Sequence, residues 1–152
     1  MAINPQFFSL ALLILLFAGT AHVSSDSECE YTLKVQTGSV ANAGTDSIIS
    51  VTLTDVHEDS FEIKDLAQWG TLGSSFDYFE IGKKETFKGR GGCTGLPVCK
   101  ISVDSDGSGI LPDWFLEDIE VEVVRPDERP NNEIFNFQQW IPPQGGVELS
   151  NC

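Results

Sequence analysis

The sequence predicts an all-β protein, an antiparallel β-sandwich of about eight short strands. Three observations predict it. Short runs with apolar side chains at every second position recur along residues 31–149, separated by Gly, Pro, Asp and Asn clusters. No segment in that region has a helical period. The clearest run, residues 119–124, puts Ile119, Val121 and Val123 on one face and Glu120 and Glu122 on the other. Trp114 and Phe115 open that run directly behind Pro112 and Asp113. Burying a large aromatic is worth roughly 2–3 kcal/mol, so this strand is expected to anchor the core.

Taken in order, the chain starts with an apolar run over residues 7–17, followed by the small residues Ala18, Gly19, Thr20 and Ala21. The run is too short to span a bilayer comfortably and no stop-transfer segment follows, so residues 1–24 read as a secretory signal peptide and 25–152 as the domain. The leader departs from the usual pattern in having no Lys or Arg before its apolar run. The predicted strands then cover residues 31–37, 47–55, 61–63, 76–81, 85–88, 101–103, 113–124, 134–141 and 147–149, with 76–81 and 85–88 forming one hairpin-like pair. Residues 66–75, which carry Trp69, read as irregular, 90–97 as a loop between cysteines, and 125–132 as a polar connection.

The four cysteines, Cys29, Cys93, Cys99 and Cys152, all lie beyond the leader, and an even count in a small secreted domain implies two disulfides. Three pairings are open. The preferred one joins Cys93 to Cys99 across a Gly/Pro loop and Cys29 to Cys152 across the domain ends. Zinc is a poor fit, since no His lies near Cys93 or Cys99.

Twenty-three acidic residues against nine basic ones give a formal net charge of −14. Such a surface repels nucleic acid and bare anionic membranes. Most of the acidity serves solubility. Catalytic signatures are missing: there is no Gly-x-Ser-x-Gly elbow, no His-Glu-x-x-His and no phosphate-cradling glycine loop, and His57 sits in a polar turn. No Asn-x-Ser/Thr acceptor occurs. Calcium is better supplied, because acids stand where strands begin: Asp46 after Asn42, Ala43 and Gly44, Asp113 after Pro112, and the pair Asp77 and Glu80. Solvated loop ends are the competing reading of these acids.

At this point the residues resemble the PLAT (lipoxygenase-homology) domain, and most closely the small secreted plant PLAT-domain proteins linked to stress responses. The resemblance runs from Cys29 to the final Asn151 and Cys152. It is carried by Gly38 and Ser39, by AGTDSIIS at 43–50, by DYFE at 77–80 with Gly82, and by FKGRG at 87–91. The spacing Cys93-x5-Cys99 and the block SDGSG at 105–109 ahead of DWFL at 113–116 complete it. What the resemblance implies is an eight-stranded sandwich of two four-stranded sheets, with no catalytic activity, that binds lipid surfaces or proteins and often calcium. An ion would sit on Asp46 and Asp113 with backbone carbonyls of Asn42, Ala43 and Ile110; a second would use Asp77 and Glu80. Ser47 stands where some relatives carry a further acid. Trp69 and Phe76 are the implied loop-tip aromatics for membrane contact.

Two functions follow as expectations. The first is a secreted, apoplastic module that passes through the endoplasmic reticulum and docks on lipid or membrane surfaces with calcium, as a monomer, in a plant stress response. The second is a protein-interaction adaptor for an extracellular or endoplasmic-reticulum partner, with calcium structural or absent. An apolar rim beside the acidic loops would mark the first, and a dry patch on a flat sheet face the second. The mature chain is expected to have no transmembrane segment and no attached catalytic unit, and the sequence shows no tail of the Lys-Asp-Glu-Leu type.

Overall fold

A computed structural model describes residues 28–152. The expected leader and its cleavage point lie outside the described residues. Eight strands form in chain order: β1 (Glu28–Thr37), β2 (Ile49–Asp55), β3 (Ser60–Ile63), β4 (Lys84–Gly92), β5 (Val98–Ser105), β6 (Trp114–Val124), β7 (Asn131–Ile141) and β8 (Gly145–Ser150). A 3₁₀ turn, Leu66–Trp69, lies between β3 and β4, with Asp65 capping it by accepting from the Ala67 N–H. The strands make two four-stranded sheets, ordered β4-β1-β6-β7 and β3-β2-β5-β8, with every pairing antiparallel.

The two-residue period decides which side chains face inward. Tyr31, Leu33 and Val35 of β1 meet Ile119, Val121 and Val123 of β6, and these pack against Ile49, Val51 and Leu53 of β2 and Ile101 and Val103 of β5. Trp114 is wholly buried, as its place at the mouth of β6 predicts, and its indole N–H donates to Thr37 Oγ1 at 3.1 Å. Both outer faces are mostly polar, with Ile134 and the Phe115–Trp140 pair as apolar exceptions on β6 and β7. The β4-β1-β6-β7 face carries Lys34 and Lys84 paired with Glu120, and Arg90 paired with Glu30. Ser50, Thr52, Lys100, Ser102, Asp104 and Glu148 lie on the outer side of the other sheet.

The preferred disulfide pairing is wrong. Cys29 bonds Cys93 and Cys99 bonds Cys152, each with Cα atoms 5.0 Å apart. Sheet pairing is the reason: Cys29 lies opposite Gly91 on β4, so the end of that strand delivers Cys93 to it. Cys99 is on β5, in the other sheet, where Asn151 donates its N–H to the Cys99 carbonyl at 2.7 Å and brings Cys152 alongside. Cys93 and Cys99 therefore diverge into different sheets.

Two regions differ most from expectation, while the other strands move their ends by up to about three residues. β4 runs on to Gly92 instead of ending at 88, and its glycines explain how. A Cβ at Gly89 would come within 2.4 Å of the Trp69 ring and one at Gly91 within 2.3 Å of the Phe61 ring, so the bare backbone admits both aromatics. Residues 76–81 form no strand. Phe79 has φ 65°, its N–H donates to Glu85 Oε2 at 2.7 Å, and its ring packs among Tyr78, Phe87 and Trp114. Tyr78 and Phe79, adjacent in sequence, are both buried, so they anchor a loop to the core where a strand would turn one of them outward.

Candidate functional site

Antiparallel pairing gathers three long connections at one end of the sandwich: 38–48 between β1 and β2, 70–83 ahead of β4, and 106–113 between β5 and β6. Backbone hydrogen bonds lace them together. Thr45 donates to the Phe79 carbonyl at 3.3 Å, Asp46 to that of Leu111 at 3.1 Å, and Gly82 to that of Gly38 at 2.9 Å. Ser47 Oγ donates to the Ser108 carbonyl at 2.8 Å. Asp106 Oδ1 accepts from the Ser108 hydroxyl, the Ser108 N–H and the Ile48 N–H, which fastens the β5–β6 loop to the start of β2. The Ser108 hydroxyl bond, aided by those two N–H groups, holds the Asp106 carboxyl below its ordinary range. Gly109 sits at φ 83° with Asp46 so close that a Cβ would come within 2.4 Å of it.

Both disulfides and both ends of the described chain lie at the opposite end, on Cys29, Cys93, Cys99 and Cys152. There Asp55, wholly buried, accepts from the N–H groups of His57 and Asp59 at 2.7 and 3.0 Å. The far end is stapled, and the loops at the near end are held by hydrogen bonds.

The acids expected to hold calcium reach the looped end but do not gather: three divide between two depressions and Glu80 lines neither. Asn42, Ile110 and Asp113 line one of about 290 Å³ with Leu111 and Pro112. Asp46 and Asp77 line another of about 140 Å³ with Thr45, Ser47, Phe76 and Tyr78. Asp46 Oδ2 accepts from the Leu111 N–H at 3.2 Å. Ala43 is buried and its carbonyl accepts from the Phe115 N–H at 2.9 Å, while the Glu80 carbonyl accepts from Lys83. Among the described residues, no three His, Cys, Asp or Glu side chains gather closely enough to hold a metal ion. Calcium needs six to eight oxygens. The side chains as placed do not fit a preassembled calcium site.

Beneath Asp77 and Glu80 lies Glu85, only 6% exposed, with Oε1 in contact with no hydrogen-bond partner. Burial pushes its carboxyl up, the Phe79 N–H partly opposes this, and the charges of Glu80 and Asp77 add to it.

Trp69 is half-buried, tilted against Tyr31 and Phe61 at ring-centroid distances of 6.3 and 5.9 Å. Phe76 is 43% exposed and lies edge-on to Tyr78 at 4.9 Å. Sequence reasoning missed the aliphatic tips. Ile110 is 89% exposed and Leu111 50% exposed, standing out from the β5–β6 loop. The available signal was two large aliphatic residues inside an otherwise Asp, Ser and Gly loop. Ten large apolar residues are exposed among the described residues. Eight of them, Val40, Ile48, Leu72, Phe76, Ile81, Ile110, Leu111 and Trp140, belong to this looped end; Val56 and Ile134 do not.

The comparisons agree with this geometry. The family model of embryo-specific protein 3 (ATS3) matches residues 17–151. PLAT domain-containing protein 2 of Arabidopsis thaliana is 35% identical over 152 residues, covering 96% of this chain and 83% of that protein. PLAT domain-containing protein 1 of the same plant is 34% identical over 142 residues, 93% of this chain and 78% of that one. The chain belongs to the PLAT-domain proteins of the embryo-specific protein 3 family. Among solved structures, coral 8R-lipoxygenase, described as showing calcium activation via a C2-like domain, superposes with a TM-score of 0.60 at 25% identity. This PLAT chain is covered to 80% in that match but spans only 16% of the lipoxygenase. No helix among the described residues is long and apolar enough to cross a membrane.

Proposed function

We propose that this protein is a non-catalytic, secreted module that docks end-on to lipid surfaces through its looped end. One observation carries the reading: eight of the ten exposed large apolar residues stand at that end, on loops and the strand ends beside them. Single exposed apolar residues are normal on any protein, but their concentration at one end of the fold favours a contact surface there. Both sheet faces are mostly polar and charged; the apolar exceptions, Ile134 and the Phe115–Trp140 pair, lie on the outer side of β6 and β7. Loop tips such as Ile110 and Leu111 suit insertion into a soft apolar phase. Two disulfides and the apolar run at residues 7–17 support an oxidising, secretory setting.

Calcium enters as a modifier. The acids beside the rim, Asp46, Asp77, Glu80 and Asp113, oppose approach to anionic headgroups, and a cation drawn to them would relieve that opposition. Because Asp46 and Asp77 line one depression, Asp113 another and Glu80 neither, affinity no tighter than about 10⁻⁴ M is expected. The test is co-sedimentation of the mature protein with phosphatidylcholine vesicles that contain phosphatidylserine, in chelator and in about 1 mM calcium. Sedimentation in chelator that calcium strengthens supports the reading. A protein that stays in the supernatant under both conditions contradicts it and leaves the adaptor function.

A further inference from the structure

β7 is an edge strand, and its composition sets it apart. Five of the ten Asn and Gln residues among those described stand on its 11 residues, and Glu133 is its one charge. Register sorts them. On the outer side of the sheet, Trp140 stands opposite Phe115 of β6, Asn136 opposite Asp118 and Asn132 opposite Glu122. At one end Trp140, 46% exposed, lies edge-on to Phe115 at 5.4 Å. Phe115 covers Gly38 so closely that a Cβ there would come within 2.4 Å of its ring, so the aromatic pair is seated on bare backbone. Towards the other end a depression of about 110 Å³ opens, lined by Asn132 and Ile134 together with Thr32, Lys34 and Glu122. Asn132, Asn136 and Gln138 are exposed along this stretch, and among the described residues none of their side chains makes a hydrogen bond.

We propose that the outer face of β6 and β7 binds an uncharged polysaccharide chain. A sugar ring has an apolar C–H face and a rim of hydroxyls that both donate and accept. The aromatic pair suits the face, and free amides beside carboxylates suit the rim, since an amide donates and accepts while a carboxylate takes hydroxyl protons. From Trp140 to Asn132 the strand spans roughly 25 Å, which calls for a chain of several rings. Other occupants fit less well. A protein partner needs a continuous dry centre, and the row of Asn136 and Asp118 separates Ile134 from the aromatic pair. An added β-strand needs an unbroken edge, and β7 is bulged where Gln138 takes φ 49°. Asp118, Glu120 and Glu122 repel a polyanion, and burying them against hydrocarbon would cost their hydration. The inference does not rest on the lipid-docking reading, because it uses a sheet face in place of the loop tips.

The experiment is affinity electrophoresis of the mature protein in native gels that contain hydroxyethylcellulose, galactomannan or polygalacturonate. At least one of the two neutral polymers should retard the protein, and the anionic one should not. Trp140→Ala should weaken retardation about tenfold or more, the scale of losing an aromatic stacking surface. Asn132→Ala with Asn136→Ala, at two exposed positions, should weaken it about tenfold through two lost hydrogen bonds. Ile110→Ser with Leu111→Ser should migrate like the parent, which separates this face from the loop tips. A thermal melt checks that each variant is folded, and the asparagine pair decides the matter if Trp140→Ala is not. No retardation by either neutral polymer, equal retardation by polygalacturonate, a folded face variant that keeps the parent's affinity, or loss of binding in the loop-tip variant overturns the polysaccharide site. None of these outcomes bears on vesicle sedimentation, so lipid docking stands or falls separately.

Discussion

Replacing Ile110 and Leu111 together by serine tests where the contact energy of this PLAT domain lies. Burying a whole Ile or Leu side chain is worth roughly 1.5–3 kcal/mol. Ile110 is 89% exposed and Leu111 50% exposed, so nearly all of one side chain and half of the other remain to be buried on docking. Scaling by those fractions assigns the pair roughly 3 kcal/mol, about a hundredfold in vesicle affinity. Because the pair contributes little to the core, the melting temperature should hold, as for most surface substitutions, which stay within about 0.5 kcal/mol. Vesicle co-sedimentation and a thermal melt read the two quantities separately. Val56→Ser and Ile134→Ser are the matched controls: those residues are 47% and 54% exposed but stand away from the looped end, and neither change should alter sedimentation. A folded double variant that sediments like the parent refutes the reasoning, as does a control that loses binding.

The stapled end carries further expectations. Cys29→Ala with Cys93→Ala opens a bridge between residues 64 apart, and chain entropy puts the loss at roughly 4 kcal/mol, read from the denaturant midpoint; a loss below about 1 kcal/mol would mean the unfolded chain is not what the bridge restrains. At Asp55, burial pushes the carboxyl up, but the N–H groups of His57, Asp59 and Gly95 outweigh it and hold the group below its ordinary value. Its stabilisation is thus present above the ordinary aspartate range and lost as pH falls through the lowered one, so Asp55→Asn should lower the melting temperature at neutral pH and flatten the acid limb of the stability curve. Glu85 has the opposite sign. Burial raises its carboxyl, so its stabilisation is full below the ordinary glutamate range and lost as pH rises through the raised value. Glu85→Gln should therefore raise the melting temperature at neutral pH and leave it unchanged in acid, and an identical pH profile in parent and variant would contradict the assignment.

Much of the fold was legible because alternation carried it. In β6 the apolar and acidic residues interleave without a break over 119–123, and Trp114 marks the strand's mouth by its cost if left wet. Alternation failed at 76–81, where Phe76, Tyr78 and Phe79 are spaced by loop anchoring, and the positive φ of Phe79 has no local signature in a residue type that seldom adopts one. Disulfide pairing was not legible because it depends on which strands are neighbours. Nothing local to Cys93 says that its strand lies beside β1 and that Cys99 crosses to the other sheet. The convergence of the loops bearing Asp46 and Asp113 followed from the family resemblance, whereas their division between two depressions depends on how Leu111 seats against Asp46. Ile110 drew attention only for its backbone carbonyl. Its exposed side chain became informative once the topology placed it at the same end as Phe76, Leu72 and Val40.

End-on docking is tested most directly by amide hydrogen exchange of the mature protein with and without phosphatidylcholine vesicles. The account predicts that vesicles slow exchange in residues 72–80 and 108–112 and leave the stapled end, residues 56–59 and 93–97, unchanged. Slowing spread over the outer face of either sheet, or confined to the stapled end, would contradict it.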